Sequence, residues 1–159
     1  MKAVVVTVSD RVSRGEAEDG SGPAAVAKLV EFGIIDAQVV VVEDGVESVS
    51  NLLRSLVDSH DLIVTTGGTG FSPRDLTPEA TQLVVDRQAP GLAEAMRAAT
   101  FGKFPHGMLS RGVSGIAGST LIINLTGSVK AVQESLDVVG PVLNHAVELL
   151  IRGQSDHNV

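Results

Sequence analysis

The run Leu62-Ile63-Val64-Thr65-Thr66 passes directly into Gly67-Gly68-Thr69-Gly70-Phe71-Ser72-Pro73-Arg74-Asp75-Leu76 and then into Thr77-Pro78-Glu79-Ala80. The first five residues are apolar or β-branched at every position, the pattern of a strand covered on both faces. Three glycines in four residues then permit backbone angles that a side chain would forbid, and they let an anion approach backbone N–H groups closely. Thr77 before Pro78 reads as an N-cap followed by a first-turn proline, so the loop is expected to end on the positive end of a helix. Strand, glycine loop and helix in that order point to chemistry on a nucleotide or another phosphorylated ligand. Asp75 stands where a divalent metal would lie beside the phosphate.

Outward from this stretch the same alternation continues. Residues 3–8 and 39–42 are further short β-branched runs, read as strands buried between two helical layers. Between them residues 23–32 carry Val26, Leu29 and Val30 at helical spacing, with Gly33 as a stop. Val49, Leu52, Leu53, Leu56 and Val57 mark a second helix, ended by Asp58-Ser59-His60. This β-α-β-α-β order predicts an α/β fold of three layers, α/β/α, with a doubly wound and mostly parallel sheet. Beyond the loop, residues 78–85 and 92–99 read as two helical pieces parted by Ala89-Pro90-Gly91. Residues 108–114 and 120–125 read as strands joined by a turn at residues 115–118, one of them antiparallel. Residues 129–152 are helical, and Gly140-Pro141 is expected to split or kink them. One domain over residues 1–153 with a loose tail at 154–159 is the expected organisation.

Composition restricts what such a domain handles. With 159 residues the chain is the size of one domain that buries roughly 70% of its unfolded surface. Aromatic residues make up only 3%, with no Trp or Tyr, so the core is built from Val, Leu, Ile and Ala and base stacking is disfavoured. A net charge of -7 with 12 basic residues opposes a polyanion, and no nucleic acid is expected as a partner. An anionic small ligand would need a metal or a local arginine. The absence of cysteine removes disulfides, thiol catalysis and Cys-based metal sites. The apolar run at the start is too short for a secretory segment, and no stretch approaches the roughly 20 apolar residues of a membrane span. A cytoplasmic protein with no membrane partner is the expectation.

The glycine loop fits neither common nucleotide motif. It lacks the Lys-Ser/Thr pair of a P-loop, and Pro73 stands where the third glycine of a dinucleotide fingerprint would be. Asp44 follows the second strand and Asp75 the third, so adjacent strand ends would bring two carboxylates to one crevice and hold Mg²⁺ on a nucleotide. Each also has a plain structural reading, Asp44 as a turn former and Asp75 as a cap. Ser9-Asp10-Arg11 leaves the first strand at the same edge, where Asp10 would contact ligand or form a turn or salt bridge. Ser110-Arg111-Gly112 and Gly127-Ser128 offer a guanidinium and hydroxyls for a phosphate, with a solvated arginine as the alternative. The four histidines are too scattered for a metal motif, and no Gly-x-Ser-x-Gly elbow supports a hydrolase.

Taken together these loops resemble the molybdenum-cofactor biosynthesis family represented by the Mog and MoaB proteins and by the corresponding domain of gephyrin. The resemblance runs from Val6 to about Leu150. It rests on Ser9-Asp10-Arg11, Asp19-Gly20-Ser21-Gly22-Pro23, residues 66–81, Pro90-Gly91, Glu94 with Arg97, and Leu109-Ser110-Arg111-Gly112. It implies a molybdopterin adenylyltransferase that joins molybdopterin and ATP, with Mg²⁺, to give adenylylated molybdopterin and pyrophosphate. By the family pattern Asp44 and Asp75 are the catalytic acidic pair that handles Mg-ATP, directly or through water. Ser9, Asp10, Thr66, Gly67, Gly68, Thr69, Gly70, Thr77, Pro78 and Glu79 would line the ligand cleft, with Ser110, Arg111, Gly127 and Ser128 holding the pterin or its phosphate. Many relatives read Leu-Pro-Gly-x-Pro where this chain reads Leu125-Thr126-Gly127-Ser128-Val129, which removes two fixed φ angles beside Gly127-Ser128. The resemblance also implies a homo-oligomer, a trimer or a hexamer built from trimers, and the molybdenum-insertion protein as a further partner. A MoaB-like protein that binds molybdopterin without transferring AMP is the rival reading.

Overall fold

The first strand shows how the sheet acquires two covered faces. In the computed structural model, which describes residues 1–155, β1 spans Lys2–Val8, and successive side chains point to opposite sides. Ala3 and Val5 enter one core, while Val4, Val6 and Val8 enter the other. β2 (Asp36–Val42) and β3 (Leu62–Thr66) flank β1 in parallel, and β6 (Thr120–Leu125) pairs in parallel with β3. Two shorter strands, β4 (Arg87–Gln88) and β5 (Ser114–Ala117), complete the order β2-β1-β3-β6-β5-β4. Within that sheet β5 runs against both neighbours, so the one expected antiparallel strand gives two antiparallel pairings.

Helices cover both faces. α2 (Ser21–Glu31), α5 (Pro90–Ala98) and α6 (Val129–Ser155) pack Leu29, Met96, Leu136 and Leu143 against one side. α3 (Val46–Val57) and α4 (Thr77–Gln82) pack Val49, Leu53 and Ala80 against the other. The remaining pieces are α1 (Asp10–Ser13) and a 3-10 helix at Pro105–Leu109. No helix among the described residues is long and apolar enough to cross a membrane.

Several local expectations shift. β2 is an edge strand rather than a buried one: Val41 is 39% exposed, because a strand with one neighbour is covered less completely. On α2 the buried side chains include Ala25 and Leu29 while Val30 is exposed, and Gly33 ends the helix at φ 81 as expected. The fifth strand lies at Ser114–Ala117, not 108–114, and Met108 and Leu109 belong to the 3-10 helix. Gly115, read as a turn former, sits in that strand with room for no Cβ, which would lie 2.8 Å from Val85 Cγ1. α6 passes through Gly140-Pro141 as one continuous helix, so the expected split does not occur. It also takes in residues 154 and 155 of the expected tail; the remainder of that tail lies outside the described residues.

Candidate active site

Because β1, β2, β3 and β6 are parallel, the loops that leave them all emerge at one edge of the sheet. The chain moves outward from β1 to β2 and then returns to the far side of β1 at β3, so the loops after β1 and β3 diverge. Open α/β sheets bind ligands in the crevice formed at such a reversal. Here the crevice has two parts, a larger cleft of about 780 Å³ and a smaller one of about 480 Å³. Gly67, Gly127 and Ser128 line both and form the partition between them.

The partition is tight. Gly67 has φ 91, and a Cβ there would lie 2.4 Å from the Val8 carbonyl oxygen, so the ends of β1 and β3 meet only because residue 67 has no side chain. Ser128 accepts the Ala131 N–H at 3.3 Å and caps α6, whose amino end therefore faces the partition. The amino end of such a helix suits an anion. Thr77 behaves differently from the expected N-cap. Leu76 occupies the cap position, and the Thr77 hydroxyl donates instead to the Gly67 carbonyl at 3.0 Å. Thr77, 1% exposed, thus fixes the loop from beneath, with buried Pro78 beside it.

Both predicted carboxylates flank the glycine loop. A Cβ on Gly68 would lie 3.3 Å from Asp44 Oδ1, and one on Gly70 would lie 2.8 Å from Asp75 Oδ2. Asp44 Oδ2 accepts the Asp10 N–H at 2.9 Å, and Asp75 Oδ2 accepts the Ser72 N–H at 2.9 Å. Among the described residues neither Oδ1 takes a hydrogen bond. Burial pushes the Asp44 carboxyl above its ordinary value, and the neighbouring charges of Asp10 and Asp75 push the same way, against an opposing bond from Asp10 and the charge of Arg74. A partly desolvated carboxylate beside other carboxylates favours a cation. Hard oxygen donors on two side chains fit Mg²⁺, which retains waters and substrate phosphates rather than filling a protein cage. No group of three or more His, Cys, Asp or Glu is placed for a metal among the described residues.

The other candidates divide between lining and bracing. Thr69, Gly70, Ser110, Gly127 and Ser128 line the larger cleft, and Ser9, Thr66 and Ser128 line the smaller one. Ser9 also caps α1, and Thr66 shares a 2.8 Å hydrogen bond with Ser21. Arg111, expected to hold a phosphate, is committed to the loop itself. Its Nε donates to the Gly70 carbonyl at 2.8 Å, Nη2 donates to the Asp75 carbonyl, and Nη1 pairs with Glu79. The Arg111 guanidinium holds the Glu79 carboxyl below its usual range. Neither Arg111 nor Glu79 lines a cleft. Asp10 is likewise occupied, by Arg74.

Some lining residues escaped the sequence reading. Asp19 accepts from Thr7 Oγ1 at 2.7 Å and from the Gly22 N–H at 2.9 Å, opening α2 at the wall of the smaller cleft. Its place before Gly20-Ser21-Gly22 was the available signal. Arg97, Lys103 and Lys130 line the larger cleft together with the acidic Asp75, Glu134 and Asp137, and only the tertiary arrangement gathers them.

Known proteins share this architecture. A family model described as "Probable molybdopterin binding domain" matches residues 4–145. The gephyrin of Dictyostelium discoideum is 43% identical over 157 residues, covering 92% of this chain but only 22% of that protein. The molybdopterin adenylyltransferase of Helicobacter pylori strain J99 is 38% identical over 151 residues, covering 92% of this chain and 86% of the relative. A crystal structure of the molybdopterin biosynthesis enzyme MoaB from Thermus thermophilus superposes with a TM-score of 0.86 at 45% identity, covering 94% of this chain and 95% of that one. With a family match over nearly all of the sheet and its helices, and relatives that align along most of their own length, this chain belongs to the probable molybdopterin binding domain family.

Proposed function

We propose that the chain is a molybdopterin adenylyltransferase. The observation that carries this reading is the pair of clefts divided by Gly67, Gly127 and Ser128, with Asp75 lining the larger cleft and Asp44, which lines neither, beside Gly68 of the glycine loop. Two substrates seated in adjoining clefts would meet at the partition. An oxygen of the molybdopterin terminal phosphate attacks the α-phosphorus of ATP, the bond to the bridging oxygen of the β-phosphate breaks, and pyrophosphate leaves. Mg²⁺, held by Asp44 and Asp75 directly or through water, would neutralise the phosphate charge. The chain's own contribution is positioning and electrostatics: Gly68 to Gly70 and the amino end of α6 present N–H groups, while Ser110 and Ser128 offer hydroxyls. Arg97, Lys103 and Lys130 balance the formal charges of Asp75, Glu134 and Asp137 in the larger cleft, within a chain of net charge -7.

Assembly into a homo-oligomer, a trimer or a hexamer built from two trimers, belongs to the same proposal. Phe71, Phe101, Phe104 and Met108 are 70%, 67%, 52% and 56% exposed, apolar side chains that a second copy would cover. A cytoplasmic location and delivery of the product to a molybdenum-insertion protein complete it.

The test is anaerobic incubation with molybdopterin, Mg²⁺ and α-labelled ATP, following label on the pterin and release of pyrophosphate. Wild type transfers label, and Asp75→Asn slows transfer by about 10²- to 10³-fold while retaining pterin binding. Tight pterin binding by wild type without transfer would replace the enzyme with a binding protein. Neither binding nor transfer would leave only the fold in common with the relatives.

A further inference from the structure

Asp44 can offer an open oxygen to a cation only if its carboxylate is held in one orientation, and its own element does not hold it. It lies in the connection between β2 and α3, just before Gly45 at φ 139. What fixes it is Asp10, from the loop after β1. The Asp10 N–H donates to Asp44 Oδ2 at 2.9 Å, and the Asp44 N–H donates to Asp10 Oδ1 at 3.1 Å. This reciprocal pair sets two carboxylates close together, an arrangement that repels unless a cation intervenes.

Arg74 is that cation. Its Nε donates to Asp10 Oδ2 at 3.0 Å, and its Nη2 donates both to Asp10 Oδ1 at 2.9 Å and to the Asp44 carbonyl at 2.7 Å. Both Asp10 oxygens are thereby occupied, which leaves Asp44 Oδ1 as the open acceptor on the side of Gly68. Arg74 also precedes Asp75, so the same anchor sets the loop that carries the second acid.

We propose that Arg74, acting through Asp10, is the positioning residue that orients Asp44 and Asp75 toward a divalent cation on the nucleotide. This rests on the adenylyltransferase reading, and it moves Asp10 from ligand contact to strut. A lysine would keep the charge but could not bridge two carboxylate oxygens and a carbonyl in one plane.

The experiment uses the full chain and the variants Arg74→Met, Arg74→Lys, Asp10→Asn and the Arg74→Met/Asp10→Asn double. Mn²⁺ binding in the presence of a non-transferable methylene analogue of ATP is read by electron paramagnetic resonance, beside kcat and KM for molybdopterin. Each single variant is expected to weaken Mn²⁺ binding about tenfold and to lower kcat with KM for molybdopterin unchanged. Arg74→Lys should be no better than Arg74→Met, and the double variant no worse than either single, because all interrupt one strap. Wild-type Mn²⁺ binding in the variants, or additive losses in the double, would overturn the proposal. Arg74 has 59% of its side chain exposed, so folding survives its replacement, which a thermal melt verifies. If wild type binds Mn²⁺ and the analogue but transfers no AMP, while the variants lose that binding, the strap stands and the adenylyltransferase reading falls. If wild type transfers and the variants match it, the strap alone falls. If wild type binds no Mn²⁺ with the analogue, both fall together.

Discussion

Asp44 illustrates a conflict between stability and function within a single side chain. The fold raises its carboxyl above the ordinary 3.8, chiefly by burial, so the folded state favours the protonated form. As pH rises from that ordinary value through the raised one, the folded state holds the proton that the unfolded chain has released, and stability falls. Above the raised value the cost is constant. Asp44→Asn keeps an oxygen for the Asp10 N–H and carries no charge, so it should raise Tm at neutral pH by about 1–3 °C while abolishing most transfer. Thermal melts across pH would check this, with the gain disappearing below the ordinary carboxyl value. Asp10 has the opposite sign. The Arg74 hydrogen bonds hold its carboxyl low, so its contribution is present above the ordinary value and lost as pH falls through the lowered one. Asp10→Asn should therefore lower Tm at neutral pH.

At the scale of elements, α6 carries two neighbouring breaks in helix propensity with opposite consequences. Gly140 is where the helix meets α2's flank: a Cβ there would lie 2.2 Å from the Phe32 ring. Pro141 is exposed and sits inside a helix that continues past it. Gly140→Ala should thus destabilise by about 1–3 kcal/mol through overpacking, despite the better propensity of alanine. Pro141→Ala should stabilise, by at most the ~3 kcal/mol that separates the two residues in a helix interior. Urea unfolding of the two variants would measure both, and loss of stability in Pro141→Ala would mean that the proline fits a bend the helix requires. The same pair explains why the expected split failed. Propensity flags Gly and Pro alike, whereas buried Leu136, Val139, Leu143 and Val147 hold the helix continuous through them against the sheet. The misplaced fifth strand has the same origin: Met108 and Leu109 are apolar enough to suggest a strand but are 56% and 45% exposed.

At the scale of the whole molecule, the exposed apolar surface makes the oligomer proposal measurable. Sedimentation equilibrium should give a multiple of the 16.4 kDa chain, three or six copies, at micromolar concentration. Replacing Phe101 and Met108 together by Glu, both outside the core, should reduce that mass while leaving helix content unchanged. A wild-type monomer would remove this part of the proposal.

The sequence by itself determined the alternation of strands and helices, the buried character of β1 and β3, the glycine loop and the two acids that follow β2 and β3. These are local patterns, and parallel strands must deliver their following loops to one edge, so Asp44 and Asp75 were legible as neighbours. The tertiary structure alone decided which polar groups line a cleft and which are consumed within the protein. Arg111 and Glu79 pair across 32 positions, and Arg74 reaches Asp10 across 64. Such partnerships depend on strand register and loop path to within a hydrogen-bond length, and no residue pattern along the chain encodes that distance.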